Sequence, residues 1–309
     1  MIYGIIDVGS NTIRLNIYTY KDQQLQSLLH KKTMAGLAGY VVDGYLSPQG
    51  IKIACSTINN YKNILYNFNI QQIYVFATAS LRNIVNTDEV VRNIKETTGL
   101  NVIVISGEEE ATLGFKGVST ALDIETGLFV DIGGGSTELV IFENRQIISA
   151  VSMPIGSLSM YSKHVNKLFP KKEEKEAIEQ NVLNELHKLG TDEKRNYPFI
   201  CGVGGTIRAS KKLYSNLLSE HSTEDFQVES IQNILKILHK ADKKTLRRVL
   251  QIVPDRVHTI IPGMIILDTI AQYYGSKTIR VSPYGVREGY LYTKVLKEGQ
   301  KDGKNQKEI

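Results

Sequence analysis

Apolar positions along the chain fall into two rhythms that alternate. MIYGIIDVGS reads as a strand ending in a turn, and TIRLNIYTY as a second strand. Ser47 and Pro48 then open a helix, with Ile51, Ala54, Ile58, Tyr61, Leu65 and Phe68 at helical spacing. QQIYVFA is a strand, Thr87 caps a short helix that stops near Gly99, and NVIVIS is another strand. The helix after Ser106 carries Ala111, Phe115, Val118 and Leu122 on one face. Alternation of this kind predicts an α/β fold.

The pattern then restarts. GLFVDIGGGSTELVIFE is again strand, turn and strand, and DIGGGST repeats DVGSNT at an offset of 124 residues. Each copy has an apolar strand ending in Asp, a small-residue turn with Gly two positions later, and a Thr leading into a second strand. This internal repeat predicts two similar domains, 1–120 and 121–309, with their hairpins facing each other. The second is more helical, with patterns around 173–189, 227–240, 243–253 and 257–274, a strand TIRVS, and a last helix from about Val286.

Composition narrows the class. With 309 residues, 42% of them apolar and 22% charged, the chain is of ordinary globular type and long enough for two domains. The longest apolar run, residues 260–267, is broken by Pro262 and Gly263 and is too short to span a bilayer. The N-terminus has no signal-peptide pattern. Cys55 and Cys201 alone make neither a disulfide framework nor a zinc site. A cytoplasmic protein without a membrane partner is expected. The net charge of +5 admits an anionic partner but does not suggest nucleic acid, which usually calls for a clustered basic stripe. The Lys-rich stretch from Lys294 reads as a solvated helix end and tail.

Three loops have the composition of anion cradles. Glycine lets backbone N–H groups approach a phosphate and turn inward. The loops are GSNT at 9–12, GGGST at 133–137 and GVGGT at 202–206, the last between an apolar strand and a helix beginning near Ile207. A tight hairpin uses the same residues, but three such loops, two repeated with an Asp at the strand end, favour a ligand site. Asp7 and Asp131 beside phosphates make sense with a divalent cation between them. In ISGEEEA, Ser106 and Glu109 fit a capping box, which leaves Glu110 without a structural task. Gly114 and Gly117 below it leave that helix face bare. Arg82, Arg208 and Arg287 each follow a strand where an anion could lie, and each could equally be an ordinary surface arginine.

The segments IIDVGSNTIRL, ATASLRN, VISGEEEATLGFKGV, FVDIGGGSTELVI, CGVGGTIRA, VHTIIPGMIIL and VSPYGVREGYLY, in this order, resemble the exopolyphosphatase / guanosine pentaphosphate phosphatase family of the sugar-kinase and actin-like superfamily. The resemblance implies two actin-like (ribonuclease H-like) domains about a cleft that holds the end of a linear phosphate chain. By motif, Glu110 matches the general base and Arg82 a phosphate-contacting arginine. Asp131 and Glu138 match acids near a divalent metal, Mg2+ or Mn2+, and Asp7 joins them. Gly133, Gly134, Gly135 and Ser136 match the phosphate loop, Ser10, Asn11 and Thr12 its counterpart, and Gly204, Gly205, Thr206 and Arg208 the third loop. Arg208 stands where lysine is often seen. The chain resembles the short, two-domain form, for which pairing of two copies is an expectation by resemblance alone.

The implied reaction is release of terminal phosphate from inorganic polyphosphate by in-line attack of water. The alternative is hydrolysis of guanosine pentaphosphate (pppGpp), or both. Two rivals lie outside this class. An ATP-dependent kinase would hold a catalytic Asp over a sugar pocket, whereas the acid here sits in SGEEEA. A non-enzymatic sensor would bind alarmone or polyphosphate without turnover.

Overall fold

Strands β1 (Ile2–Val8), β2 (Ile13–Lys21) and β3 (Gln24–Thr33) form an antiparallel meander at the N-terminus of the computed structural model. The structure describes residues 1–22, 24–190, 196–218, 225–239 and 242–296, so most of the tail read from Lys294 lies outside the described residues. A small hairpin, β4 (Val41–Val42) and β5 (Tyr45–Leu46), leads into α1 (Pro48–Asn67). Ser47 caps α1 by accepting from Gly50 N at 3.3 Å, as Ser-Pro predicts. β6 (Gln72–Ala77), α2 (Ala79–Arg82), α3 (Thr87–Thr98) and β7 (Val102–Val104) follow. β6 runs parallel to β1 and β7 parallel to β6, giving the order β3-β2-β1-β6-β7. One sheet face, with Ile6, Val8 and Leu15, packs on Ala54, Ile58 and Leu65 of α1 and Ile94 of α3.

After α4 (Gly107–Ser119) the order repeats. β8 (Gly127–Ile132), β9 (Thr137–Glu143) and β10 (Gln146–Met153) form the second meander. Helices α5 (Ser157–His164) and α6 (Lys172–Lys188) lead to β11 (Phe199–Val203), which pairs parallel with β8, and α7 (Gly204–Leu217). β12 (Asp225–Gln227), α8 (Val228–His239), α9 (Lys243–Ile252), α10 (Ile260–Tyr273), β13 (Thr278–Val281) and α11 (Val286–Tyr290) complete it, with a π-helical turn at Leu291–Leu296. The sheet order is β10-β9-β8-β11-β13-β12. Each half thus has the meander-then-parallel order of the ribonuclease H-like fold that the family resemblance implies, and the repeat accounts for their likeness. The apolar run at 260–267 is the buried helix α10, and among the described residues no helix is long and apolar enough to cross a membrane.

The chain divides between Gly107 and Glu108 into two units. The expected boundary near residue 120 lies one helix further on. α4 stays with the second unit because Ala111, Phe115 and Val118 pack on Phe129, Val140 and Phe142 of β8 and β9. The Phe115 and Phe142 rings lie 4.6 Å apart.

Gly114 and Gly117 do not leave a bare face. Gly114 sits against the Phe129 ring, and Gly117 against the carbonyl of Gly285. In return, Gly289 of α11 lies against the carbonyl of Leu113. The two helices meet backbone to backbone, which only glycine permits. A methyl group at Gly289 would overlap that carbonyl, so Gly289→Ala is expected to destabilise by about 1–3 kcal/mol in urea unfolding. Gly39→Ala, where a methyl meets nothing within 4 Å, serves as the control and is expected to leave the midpoint in place.

Candidate active site

In the first unit, the turn at residues 9–12 closes β1 onto β2, with Gly9 N donating to Thr12 O at 3.2 Å. The carbonyls of Ser10 and Asn11 accept from Ala38 N at 2.9 Å and Gly36 N at 3.0 Å. Asp7 is 4% exposed, and its register partner on β2 is Arg14. The Arg14 Nη1 to Asp7 Oδ2 distance is 3.4 Å, so Asp7, expected beside a metal, has a cation from its own sheet. Arg82 ends α2, directly after β6. Its Nη1 donates to Ile105 O at 3.3 Å, and Ser80 Oγ ties the start of α2 to Val8 O at the end of β1. Arg82 and the 9–12 turn therefore share the carboxyl end of parallel strands, the usual ligand end of an open α/β sheet.

In the second unit the turn at 133–136 is closed identically, Gly133 N donating to Ser136 O at 2.9 Å. Its carbonyls face α5. Gly133 O accepts from Ser157 N, and Gly134 O from Leu158 N and Ser159 N, each at 2.9 Å. Gly156, against the backbone of Gly134, lets α5 come this close. The N–H groups of Gly134, Gly135 and Ser136 have no backbone acceptor among the described residues.

The second glycine loop of this unit converges on the first. α7 begins at Gly204, one turn earlier than the expected start near Ile207, so Gly204, Gly205 and Thr206 are its N-terminal turn. No side chain caps that end. Gly204 adopts φ +82° and lies against Asp131 Oδ1, while Thr206 Oγ1 donates to Ile132 O at 3.1 Å. The Asp131 carboxylate thus sits at the positive end of a helix. The guanidinium of Arg256 also lies on Gly205, although its string VPDRVH carries no phosphate motif. Arg14 was legible: it stands to Asp7 as Glu138 stands to Asp131 in the repeat.

Asp131 and Glu138 are register partners on β8 and β9. Their side chains leave the same sheet face, the one carrying Phe129, Val140, Cys201 and Val203 that α4 covers. Glu110 stands on the first turn of α4, so Glu110, Asp131 and Glu138 share one side of this sheet. Glu138 is 2% exposed, and its Oε1 accepts from Ser136 Oγ and Ser152 Oγ, both at 2.7 Å. The neighbouring Glu109 pairs with Lys294 Nζ at 2.7 Å. Cys201 takes no part: burial pushes its thiol up to about 12. Arg208 lies exposed one turn into α7.

A family model for the Ppx/GppA phosphatase family matches residues 16–298. The chain belongs to the Ppx/GppA phosphatase family. It is accordingly a hydrolase acting on phosphoric anhydrides. A Haemophilus influenzae protein provisionally named an exopolyphosphatase is 25% identical over 93% of this chain and 90% of its own length. The crystal structure of the Aquifex aeolicus Ppx/GppA family member is 27% identical, with a TM-score of 0.80 over 96% of this chain and 98% of that one. The structure of an exopolyphosphatase from Cytophaga hutchinsonii, 23% identical, shares the fold with a TM-score of 0.83 over 95% of this chain and 97% of that one.

The residues fit the divalent cation that family membership implies. The donors that Asp131 and Glu138 offer are all carboxylate oxygens, and among the described residues they stand as a pair rather than as part of a larger cluster. Carboxylate oxygens suit a hard divalent cation.

The Gly204 turn is the most demanding joint of the site. Gly204→Ala places a side chain at positive φ and against Asp131, and is expected to cost about 1–2 kcal/mol in chemical denaturation.

Proposed function

We propose that this protein is an exopolyphosphatase that removes the terminal phosphate of inorganic polyphosphate. The observation that carries the reading is the facing of Asp131 and Glu138 beside two glycine cradles, the turn at 133–136 and the start of α7. Acids beside phosphate repel it unless a cation intervenes, and the two cradles offer main-chain donors for phosphoryl oxygens. A divalent ion held by Asp131 and Glu138 would offset the charge of those oxygens when bound.

In the proposed reaction, Glu110 takes the proton of the attacking water. The N–H groups of Gly134, Gly135 and Ser136, with those of Gly204, Gly205 and Thr206, receive the oxygens of the terminal phosphoryl group. Arg256, over Gly205, adds a planar cationic donor. Arg82 and the turn residues Ser10, Asn11 and Thr12 of the first unit are proposed phosphate contacts on their motifs, as is Arg208. Glu138 is held by two hydroxyls, and Asp131 by the helix end, so neither needs to reorganise during turnover. Asp7, beside Arg14, is assigned to holding that arginine.

Polyphosphate is favoured over pppGpp because every donor assembled here recognises phosphate, and none was chosen by a base. Phosphate release from polyphosphate and from pppGpp, measured side by side with Mg2+, tests the preference. Activity on pppGpp alone would reverse it. Glu110→Gln is expected to lower kcat by about 10²–10⁴ with substrate binding retained. Near-normal turnover in that variant would remove Glu110 from the reaction. A chelator is expected to abolish phosphate release, with recovery on adding Mg2+ or Mn2+.

A further inference from the structure

The chain's charge is nearly balanced, with 37 basic and 32 acidic residues, yet two packed helices of the second unit break that balance. α7 carries Arg208, Lys211 and Lys212, α9 carries Lys243, Lys244, Arg247 and Arg248, and neither contains an Asp or Glu. Arg208 and Lys212 are exposed and lie one turn apart on α7, whose first turn is the third glycine loop. All four cations of α9 are exposed. The helices join where Arg248 Nη2 donates to Asn216 O at 2.5 Å, one turn beyond Lys212. Lys211 is near Asp225, whose carboxyl the Arg280 hydrogen bonds, with the charges of Arg280 and Lys211, hold below its usual range. Among the described residues, the acids that flank α9 in sequence are Asp242, which caps it by accepting from Thr245 N at 2.8 Å, and Asp255 in the turn after it.

Local physics does not favour this arrangement. Arg208 and Lys212, Lys243 and Arg247, and Lys244 and Arg248 are all like charges at i,i+4, which weakens a helix. Lys243 and Lys244 also occupy the first turn of α9, the wrong end of its dipole for cations. A solvated helix face normally mixes signs. A single-sign stripe is what an external polyanion would offset.

The geometry points to a polyphosphate-binding track that leaves the active site along α7 and crosses onto α9, holding the part of the chain not being cleaved. This rests on the polyphosphate reading above and deepens it. From Gly204 to Asn216, α7 rises about 18 Å, so the track grips only substrates several phosphates long. Tripolyphosphate and pppGpp, held at the loops, gain little from it. The track is thus a length selector, and it separates a polymer from an alarmone without reading any base.

The test uses the full chain carrying Lys212→Gln, Lys244→Gln and Arg247→Gln together, at exposed positions outside the glycine loops. The measured quantity is the ratio of kcat/KM on a polymer of about a hundred phosphates to kcat/KM on tripolyphosphate, at several salt concentrations. That ratio is expected to fall about tenfold, carried by KM, and the slope of log kcat/KM against log salt on the polymer to become shallower by about 2. An unchanged ratio, or an equal loss on both lengths, overturns the track. So does single-stranded RNA that competes with the polymer as strongly as polyphosphate of equal charge. If the triple variant fails to fold, Lys212→Glu alone carries the same measurement. If the unaltered protein releases no phosphate from either length, the function reading fails instead, and the two failures are told apart.

Discussion

Two carboxylates face each other across neighbouring strands at Asp131 and Glu138, one of them almost wholly buried. Like charges directly opposed in a sheet are destabilising. The second unit is arranged around that burden. Ser136 and Ser152 donate to Glu138, Asp131 rests at the start of α7, and Gly204 gives up its Cβ so that Asp131 fits. The first unit holds the same two positions as Asp7 and Arg14, which neutralise each other. The two halves share strand order and turn geometry, so the charge at one position of the second strand separates a self-satisfied pair from one suited to a cation.

Glu110 owes its position to a different kind of constraint. Helices usually meet through side chains that can repack, with axes 8–10 Å apart. α4 and α11 instead meet through main-chain atoms at Gly117, Gly285 and Gly289, where nothing can rotate out of the way. On the other side α4 is pressed into an aromatic cluster around Phe129 and Phe142. The general base proposed at Glu110 would have to be held to within a fraction of an ångström, and a helix fixed on two sides by rigid groups meets that need. The glycines that leave this helix face bare in the sequence are thus filled by a neighbouring ring and main chain, and they fix the helix that carries Glu110.

Much of this was legible in the sequence. The duplicated Asp-turn-Thr motif predicts the first two strands of each meander and their equivalence, because a half-buried strand and its turn are written in neighbouring residues. Ser-Pro and the 3.6-residue rhythm located α1. The third strand of the first meander was not legible: β3 buries little beyond Leu25, so its apolar alternation is too thin to read. The start of α7 was placed a turn late because Gly204 and Gly205 are poor helix formers, held helical by Asp131 and Arg256 from elsewhere in the chain. Arg256 was missed for the same reason. Its task follows from a contact across fifty residues, and nothing in its local string announces it.

The basic helices extend this last point to electrostatics. A whole-chain charge of +5 averages over sequence, whereas a ligand responds to what lies within about a Debye length, roughly 8–10 Å. α7 and α9 are separated in sequence by β12 and α8, so no window of the sequence contains both. Only folding adds their charges together, and only folding joins that sum to the glycine turn that opens α7. A weak global excess and a strong local stripe are therefore compatible, and it is the stripe that a phosphate chain leaving the cradle would meet.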